Sequence, residues 1–123
     1  MTRTELAAMI DHIHDLRRQR DLASVECAKA TAALNAIAEE VSRIPGRRVL
    51  VPREEAPGYA HSYTAVEKDG AWTFAMSGEK TVAELTELSV RVDFANTVWR
   101  GKAMIWSDLD RAYKKAVFEA VNS

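Results

Sequence analysis

Apolar side chains recur with the spacing of a heptad repeat through the first part of the chain. When Leu6 is taken as position a, eleven of the twelve a and d positions from Leu6 to Ile44 are apolar. A repeat of this length without an internal Gly or Pro predicts one amphipathic α-helix that needs helical partners. The a positions are Leu6, Ile13, Arg20, Cys27, Leu34 and Val41, and the d positions are Met9, Leu16, Ala23, Ala30, Ile37 and Ile44.

Signals for both ends of this helix are present. Thr2 and Glu5 have the spacing of a capping box. Pro45-Gly46 should end the helix, because proline disfavours the α conformation of the residue before it. About 42 helical residues would span roughly 63 Å, more than the ~35 Å of a compact domain. We therefore expect another copy or another protein to cover the row of a and d positions, called here the apolar seam. The alternative is a helical hairpin broken between Arg20 and Ser24, with Ser24 capping a second helix.

The positions that flank the seam do not favour a simple two-stranded zipper. No g-to-e contact of a parallel pair joins opposite charges, and Ile10, Ala33 and Ala38 widen the apolar face. A face this broad suits a bundle of three or more helices, or docking against the rest of the chain. We therefore expect a homo-oligomer with an interface formed by Leu6, Met9, Ile13, Leu16, Arg20, Cys27, Leu34, Ile37 and Val41.

One charged residue, Arg20, interrupts the apolar seam. Its side chain is long enough to reach water from an a position, so we expect a solvated basic face shared with Arg17 and Arg18. The alternatives are a device that sets helix register or an inward-facing anion site. Cys27, also at an a position, is interpreted as a small buried hydrophobe rather than a redox thiol.

After Pro45 the pattern changes to short runs of alternating polarity separated by turns. Asp69-Gly70 between two such runs is a strong hairpin signal. Ser77-Gly78 is expected to turn the chain, and the stretch TVAELTE (81–87) is ambiguous between a short helix and an edge strand. The predicted strands are Arg48–Val51, Tyr63–Glu67, Ala71–Met76, Leu88–Phe94 and Thr97–Trp106, with a loop at Arg53–His61 and a bend at Gly101.

The C-terminal residues predict a second helix. Ser107 and Asp110 have capping spacing, and apolar residues then recur at helical intervals to Val121. The predicted fold class is α+β: residues 1–45 form a long oligomerisation helix, and residues 46–123 form a small antiparallel sheet covered by a C-terminal helix. Six aromatic residues are expected to supply most of the core, namely Trp72, Phe74, Phe94, Trp99, Trp106 and Phe118.

Composition places the chain among ordinary globular domains. Its 123 residues are 47% apolar and 28% charged, and the formal net charge of −1 gives no argument for a nucleic-acid or membrane partner. No apolar run reaches transmembrane length, and the N-terminal residues lack a signal-peptide core. A single cysteine excludes an intramolecular disulfide. We therefore expect a reducing, cytoplasmic setting.

No familiar catalytic or cofactor motif occurs in the sequence. The P-loop, the dinucleotide fingerprint, HExxH and CxxC are all absent. His12 and His14 are two residues apart on the predicted helix and so point in different directions, which argues against a shared metal. His61 in the predicted loop is the one candidate general base, although a solvated loop histidine is the simpler interpretation. We expect no enzyme activity, no cofactor and no metal.

A group of cationic and aromatic residues is the remaining candidate binding site. If the first strand and the 97–106 strand were neighbours, arginines that grip phosphate would converge with rings that stack on bases. The alternative is that the arginines protect a sheet edge and the tryptophans belong to the core. The pattern suits a small phosphorylated nucleotide-like ligand better than long nucleic acid. The candidate contacts are Arg47, Arg48, Arg53, Tyr59, Trp99, Arg100 and Lys102.

Two function classes follow from these features. We expect a non-catalytic homo-oligomeric protein that recognises another protein, as an inhibitor, adaptor or assembly factor. The alternative is an oligomeric protein that sequesters the small nucleotide-like ligand. In outline, this organisation is similar to that of small phage-encoded accessory proteins, among which inhibitors and nucleotide-sequestering proteins both occur. The resemblance is one of organisation, and no sequence motif carries it.

Overall fold

The computed structural model describes residues 1–53, 59–81 and 86–122. Within these residues the order of elements is α1 (Arg3–Ser42), β1 (Arg48–Pro52), β2 (Tyr59–Lys68), β3 (Ala71–Thr81) and α2 (Glu87–Val121). The strands form one antiparallel sheet, so the predicted α+β class is confirmed. In the described part of the chain, neither helix has a stretch long and apolar enough to cross a membrane.

The N-terminal helix is capped as predicted. The backbone N–H of Glu5 donates to the Thr2 hydroxyl oxygen at 3.1 Å, which satisfies a donor that the helix leaves open. The helix is not interrupted between Arg20 and Ser24, so the hairpin alternative is wrong. It ends at Ser42, and Gly46, with φ of 82°, turns the chain toward β1.

The predicted hairpin at Asp69-Gly70 is confirmed, and the backbone conformation of its turn explains why these two residues occur there. Lys68 pairs with Ala71, which leaves Asp69 and Gly70 as a two-residue turn. Their φ angles are 52° and 81°. Positive φ at both central residues is the type I′ turn, whose twist matches that of the strands it joins.

The strands that form this hairpin are longer than predicted. β2 begins at Tyr59, so His61 lies in a strand opposite Val51 rather than in a loop. β3 runs through Ser77-Gly78 to Thr81, so the predicted turn there is wrong. Instead, Ser77 is an extra residue in β3, and Gly78, with φ of 137°, accommodates the resulting bulge. Residues 54–58 of the predicted loop lie outside the described residues.

The C-terminal third of the chain is one helix where two strands and a shorter helix were predicted. Leu88–Phe94 and Thr97–Trp106 both lie inside α2, so neither is a strand. Ser107 and Asp110 are interior positions and not a cap. The helix begins instead beside Thr86, whose hydroxyl oxygen accepts the backbone N–H of Ser89 at 3.2 Å. Residues 82–85 of the ambiguous 81–87 stretch are not among the described residues.

The strand prediction at 88–94 was wrong because the apolar residues of this segment fit both the two-residue period of a strand and the 3.6-residue period of a helix. Val90, Val92 and Phe94 alternate as in a strand, but Val92 and Ala95 also have helical spacing. In the helix, Val92 and Ala95 are buried, while Val90 and Phe94 are exposed. Val90 and Val92 are β-branched and favour a strand, but the positions that are buried follow the helical period.

The chain forms two compact units, and each of them takes residues from both helices. The helical unit comprises Met1–Lys29 and Arg100–Ser123, and the mixed unit comprises Ala30–Trp99. In the helical unit, contacts of Arg20 with Asp110 and of Glu26 with Lys102 give an antiparallel pairing of α1 and α2 residues.

The core of the mixed unit is aliphatic, not aromatic. Both helices and the sheet contribute to it, and its small side chains let these elements approach closely. Trp72 and Phe74 pack against this core as predicted, but Phe94, Trp106 and Phe118 are exposed, so the predicted aromatic core is wrong for them. The buried core residues are Ile37, Val41, Val49, Val51, Ala65, Val92 and Ala95.

The interior glycine of α2 generates a stability prediction. Apart from the neighbouring backbone of its own helix, no atom of the described residues lies within 4 Å of a Cβ added at Gly101, which is helical and exposed. We expect Gly101→Ala to raise the free energy of unfolding by about 0.5–1 kcal/mol, because alanine loses less conformational entropy in a helix. Urea denaturation followed by circular dichroism measures the change. Gly70→Ala is the control, and it should destabilise because Gly70 has φ of 81°.

Candidate functional site

Arg20 takes part in an interhelix contact in the helical unit. Its guanidinium carbon lies 4.3 Å from the centre of the Tyr113 ring, and its Nη1 lies 3.4 Å from Oδ1 of Asp110. The side chain is only 23% exposed, so the expected solvated position is wrong for Arg20. The planar cation stacks on an aromatic face and pairs with a carboxylate, which fits the alternative of a register device.

Asp110 is the acidic centre of this cluster. Its side chain is 17% exposed, and its Oδ2 accepts a hydrogen bond from Nζ of Lys114 at 2.8 Å. That hydrogen bond is the main reason why the pKa of Asp110 lies below its ordinary value. The positive charges of Lys114 and Arg20 lower this pKa further, against the opposing effect of desolvation.

Three of the other eight residues of the predicted oligomer interface are covered by the chain itself. Leu16, Ile37 and Val41 are buried in the single chain. Leu6 remains exposed, and the half-buried members of the predicted interface are Met9, Ile13, Cys27 and Leu34.

The predicted anion-binding residues of the mixed unit do not converge on one point. The Arg47 guanidinium lies 5.3 Å from the centre of the Trp72 ring, and Arg48 begins β1. At the other end of β1, the backbone N–H of Arg53 donates to the carbonyl oxygen of Tyr59 at 3.2 Å. The five residues of β1 extend over roughly 13 Å. The strand therefore separates Arg47 and Arg48 at one end from Arg53 and Tyr59 at the other.

The other three predicted ligand residues lie on α2, so the neighbouring-strand arrangement that would have gathered them is wrong. Trp99 Nε1 donates to the hydroxyl oxygen of Thr31 at 3.0 Å within the mixed unit. Arg100 and Lys102 belong to the helical unit, where Lys102 Nζ lies 3.8 Å from a carboxylate oxygen of Glu26.

The mixed unit carries an apolar groove between α1 and α2, with a volume of about 450 Å³. One wall is built of short side chains, and the other carries Phe94, which is 71% exposed. Of the described side chains that line it, Arg91 alone is charged. The lining consists of Ala30, Ala33, Ile37, Val90, Arg91, Phe94, Ala95 and Val98.

Sequence reasoning missed this groove although its signal was present. Val90, Phe94 and Val98 recur at intervals of four residues, the spacing of one helix face. The strand assignment divided them between two predicted elements. Contiguous exposed apolar surface of this kind marks interaction sites in soluble proteins, so we take the groove as the candidate functional site.

Comparison with protein-family models, curated proteins and solved structures gives no match for this chain. In the described part of the chain, no group of three or more His, Cys, Asp or Glu side chains is placed to hold a metal ion. Function must therefore be argued from the chemistry of the surfaces themselves.

The ionic cluster generates a prediction of pH dependence. Because the pKa of Asp110 is lowered on folding, its carboxylate stabilises the fold above pH 4 or so, and this contribution is lost as pH falls through the folded pKa. We expect Asp110→Asn to lower the free energy of unfolding at pH 7, and the gap from wild type to shrink toward pH 2. Urea titrations across this range measure both quantities.

Asp108→Asn is the matched control for this prediction. The Asp108 side chain is 65% exposed and lies 3.8 Å from Arg111, one turn along the same helix. Exposed pairs of this kind contribute little to stability, so the control should behave nearly as wild type. An Asp110→Asn deficit of equal size at pH 7 and pH 2 would show that titration of Asp110 is not its cause.

Proposed function

We propose that this protein is a non-catalytic, homo-oligomeric binding protein that acts by recognising another protein, as an inhibitor, adaptor or assembly factor. The observation that carries the proposal is the apolar groove between α1 and α2, with Phe94 standing exposed at its edge. A large aromatic side chain in water beside an apolar cleft is typical of an association surface.

The shape of the groove favours a second copy of the chain as its occupant. One wall has the short side chains of Ala30 and Ala33, and the other has the long side chain of Phe94. In a dimer with a two-fold axis, the same surface of each copy faces the other copy. Phe94 of each copy could then fill the alanine side of the other groove. Two copies joined in this way would bring four helix segments together, as in a small bundle.

The charges around the groove are compatible with its burial. Arg91 Nη1 lies 2.8 Å from a carboxylate oxygen of Glu40. Because Arg91 is already paired within the chain, closing the groove would not bury an unpaired positive charge. Each Val or Phe side chain that becomes fully buried would contribute about 1.5–3 kcal/mol to association.

The helical unit offers further surface for recognising a different protein. Its helices expose apolar side chains that the fold of the single chain does not use, including Leu6, Leu22, Val25, Met104, Ile105, Phe118 and Val121. We propose that some of these contact the target protein. Since the sequence has a single cysteine, which cannot form an intramolecular disulfide, we propose that the protein works in the reducing cytoplasm.

The alternative function, sequestration of a phosphorylated nucleotide-like ligand, has weaker support. It needs several cations around one phosphate, and β1 holds Arg48 and Arg53 apart. A nucleotide titration followed by melting temperature separates the two functions, since a ligand that binds the folded state raises the melting temperature. No rise with any nucleotide would favour protein recognition.

Substitution of Phe94 tests the assembly proposal. We expect wild-type protein at micromolar concentration to have at least twice the mass of one chain by light scattering. Phe94→Asp should reduce it to the mass of one chain, because a carboxylate would be desolvated in the closed groove. Since Phe94 is exposed, circular dichroism should show an unchanged helix content.

Phe118→Asp is the matched control, because Phe118 is 67% exposed but lies outside the groove. This variant should keep the wild-type mass. A wild-type protein that is monomeric at this concentration would overturn the assembly proposal. Equal dissociation by both variants would place the contact elsewhere on the helices.

A further inference from the structure

The mixed unit has a second, partly open cavity, formed by residues of α1, α2 and the sheet. Its volume is about 210 Å³, and its lining combines aromatic rings with uncharged polar groups. Pockets for drug-sized ligands begin near 300 Å³, and a water molecule occupies about 30 Å³ of liquid. The cavity thus has room for one small ring system and is too small for a complete nucleotide.

Two aromatic walls of this cavity are held in place by contacts within the fold. The Trp99 indole donates to the Thr31 hydroxyl at 3.0 Å, which fixes the indole between the two helices. The Tyr63 and Phe74 rings meet edge to face, with centres 6.2 Å apart. Rings that are positioned before a ligand arrives lose little entropy on binding, and flat aromatic faces favour flat ligands.

Two asparagines in the lining of the same cavity carry side-chain amides that can form hydrogen bonds. Asn35 on α1 and Asn96 on α2 are both half-buried in its lining. Among the residues that the structure describes, neither side-chain amide takes part in a hydrogen bond. Each amide offers an acceptor and two donors, the combination with which asparagine pairs with the edge of a nucleobase.

The cavity contains no charge to balance an ionic ligand. No Lys, Arg, His, Asp or Glu occurs among its described lining residues. A phosphate or carboxylate placed there would lose water without gaining a counter-charge, which is strongly unfavourable. Arg100 and Lys102, the cations expected beside Trp99, are not part of this lining.

We propose that this cavity is a binding site for a small, uncharged, planar heterocycle of nucleobase size, held between Trp99 and the Tyr63–Phe74 pair and read by the amides of Asn35 and Asn96. The site is separate from the apolar groove and does not depend on assembly through Phe94. A failure of one proposal therefore leaves the other standing.

Nuclear magnetic resonance on isotope-labelled full-length protein tests the site. Adenine, cytosine and uracil are titrated separately to millimolar concentration, with adenosine monophosphate as the charged probe. We expect at least one base to shift the Trp99 indole N–H and the Asn35 and Asn96 amide signals saturably. Adenosine monophosphate should bind at least about tenfold more weakly, since its phosphate has no partner in the cavity.

Variants of the amides identify the contacts. Asn96→Leu and Asn35→Leu keep the number and branching of side-chain heavy atoms and should each weaken binding of the responding base by about 2- to 10-fold, the usual effect of one lost neutral hydrogen bond. Asn96→Ala provides the same test if leucine disturbs the fold. Asn122→Ala removes an amide that donates to the Phe118 carbonyl outside the cavity, and it should leave affinity unchanged.

Three results would overturn the proposal. The first is that none of the three bases shifts the cavity signals. The second is that the amide variants bind the responding base as tightly as wild type. The third is that adenosine monophosphate binds more tightly than adenine, which would point to a cationic site instead.

Discussion

Burial of the apolar seam of α1 against α2 of the same chain is the constraint on which the other features depend. In the helical unit, Leu16 and Ala23 are buried where α1 residues contact α2. In the mixed unit, Ile37 of α1 shares a core with Val92 and Ala95 of α2. Because Leu16, Ala23 and Val41 are buried within the chain, a partner has to contact the apolar side chains of the helices that remain accessible.

Polar contacts then specify how the helices align. Apolar burial is non-directional, so alanine-rich seams allow several registers. In the helical unit, Arg20 meets Asp110 and Tyr113. In the mixed unit, Arg91 meets Glu40. A shift by one helical turn would leave a partly buried charge without its partner, and this penalty disfavours the alternative registers.

The helix pair of the mixed unit has two sides with different chemistry. On one side, Ala30, Ala33 and Phe94 form an open apolar groove that suits another protein surface. On the side that faces the sheet, Asn35 and Asn96 line a small cavity with aromatic walls. The two sites share helices but not these residues, so assembly and ligand binding can be separated by mutation.

Local sequence signals were sufficient for elements whose boundaries depend on neighbouring residues. The Thr2–Glu5 cap, the Pro45-Gly46 stop and the Asp69-Gly70 turn each act within a few residues, because backbone conformation and nearby hydrogen bonds decide them. The heptad repeat likewise identified α1 and the face that it buries. The α+β class follows from these features together.

Tertiary structure decided what local patterns left open. Leu88–Phe94 fits both a strand and a helix, and burial of Val92 and Ala95 in the shared core selects the helix. Arg20 turns inward because Asp110 and Tyr113, ninety or more positions away, provide a partner and a ring. The groove and the cavity each combine residues from separate elements. The sequence alone determined the caps and turns whose conformation depends on neighbouring residues. Packing determined the conformation of ambiguous segments and which side chains meet, because contacts between distant residues depend on the whole fold.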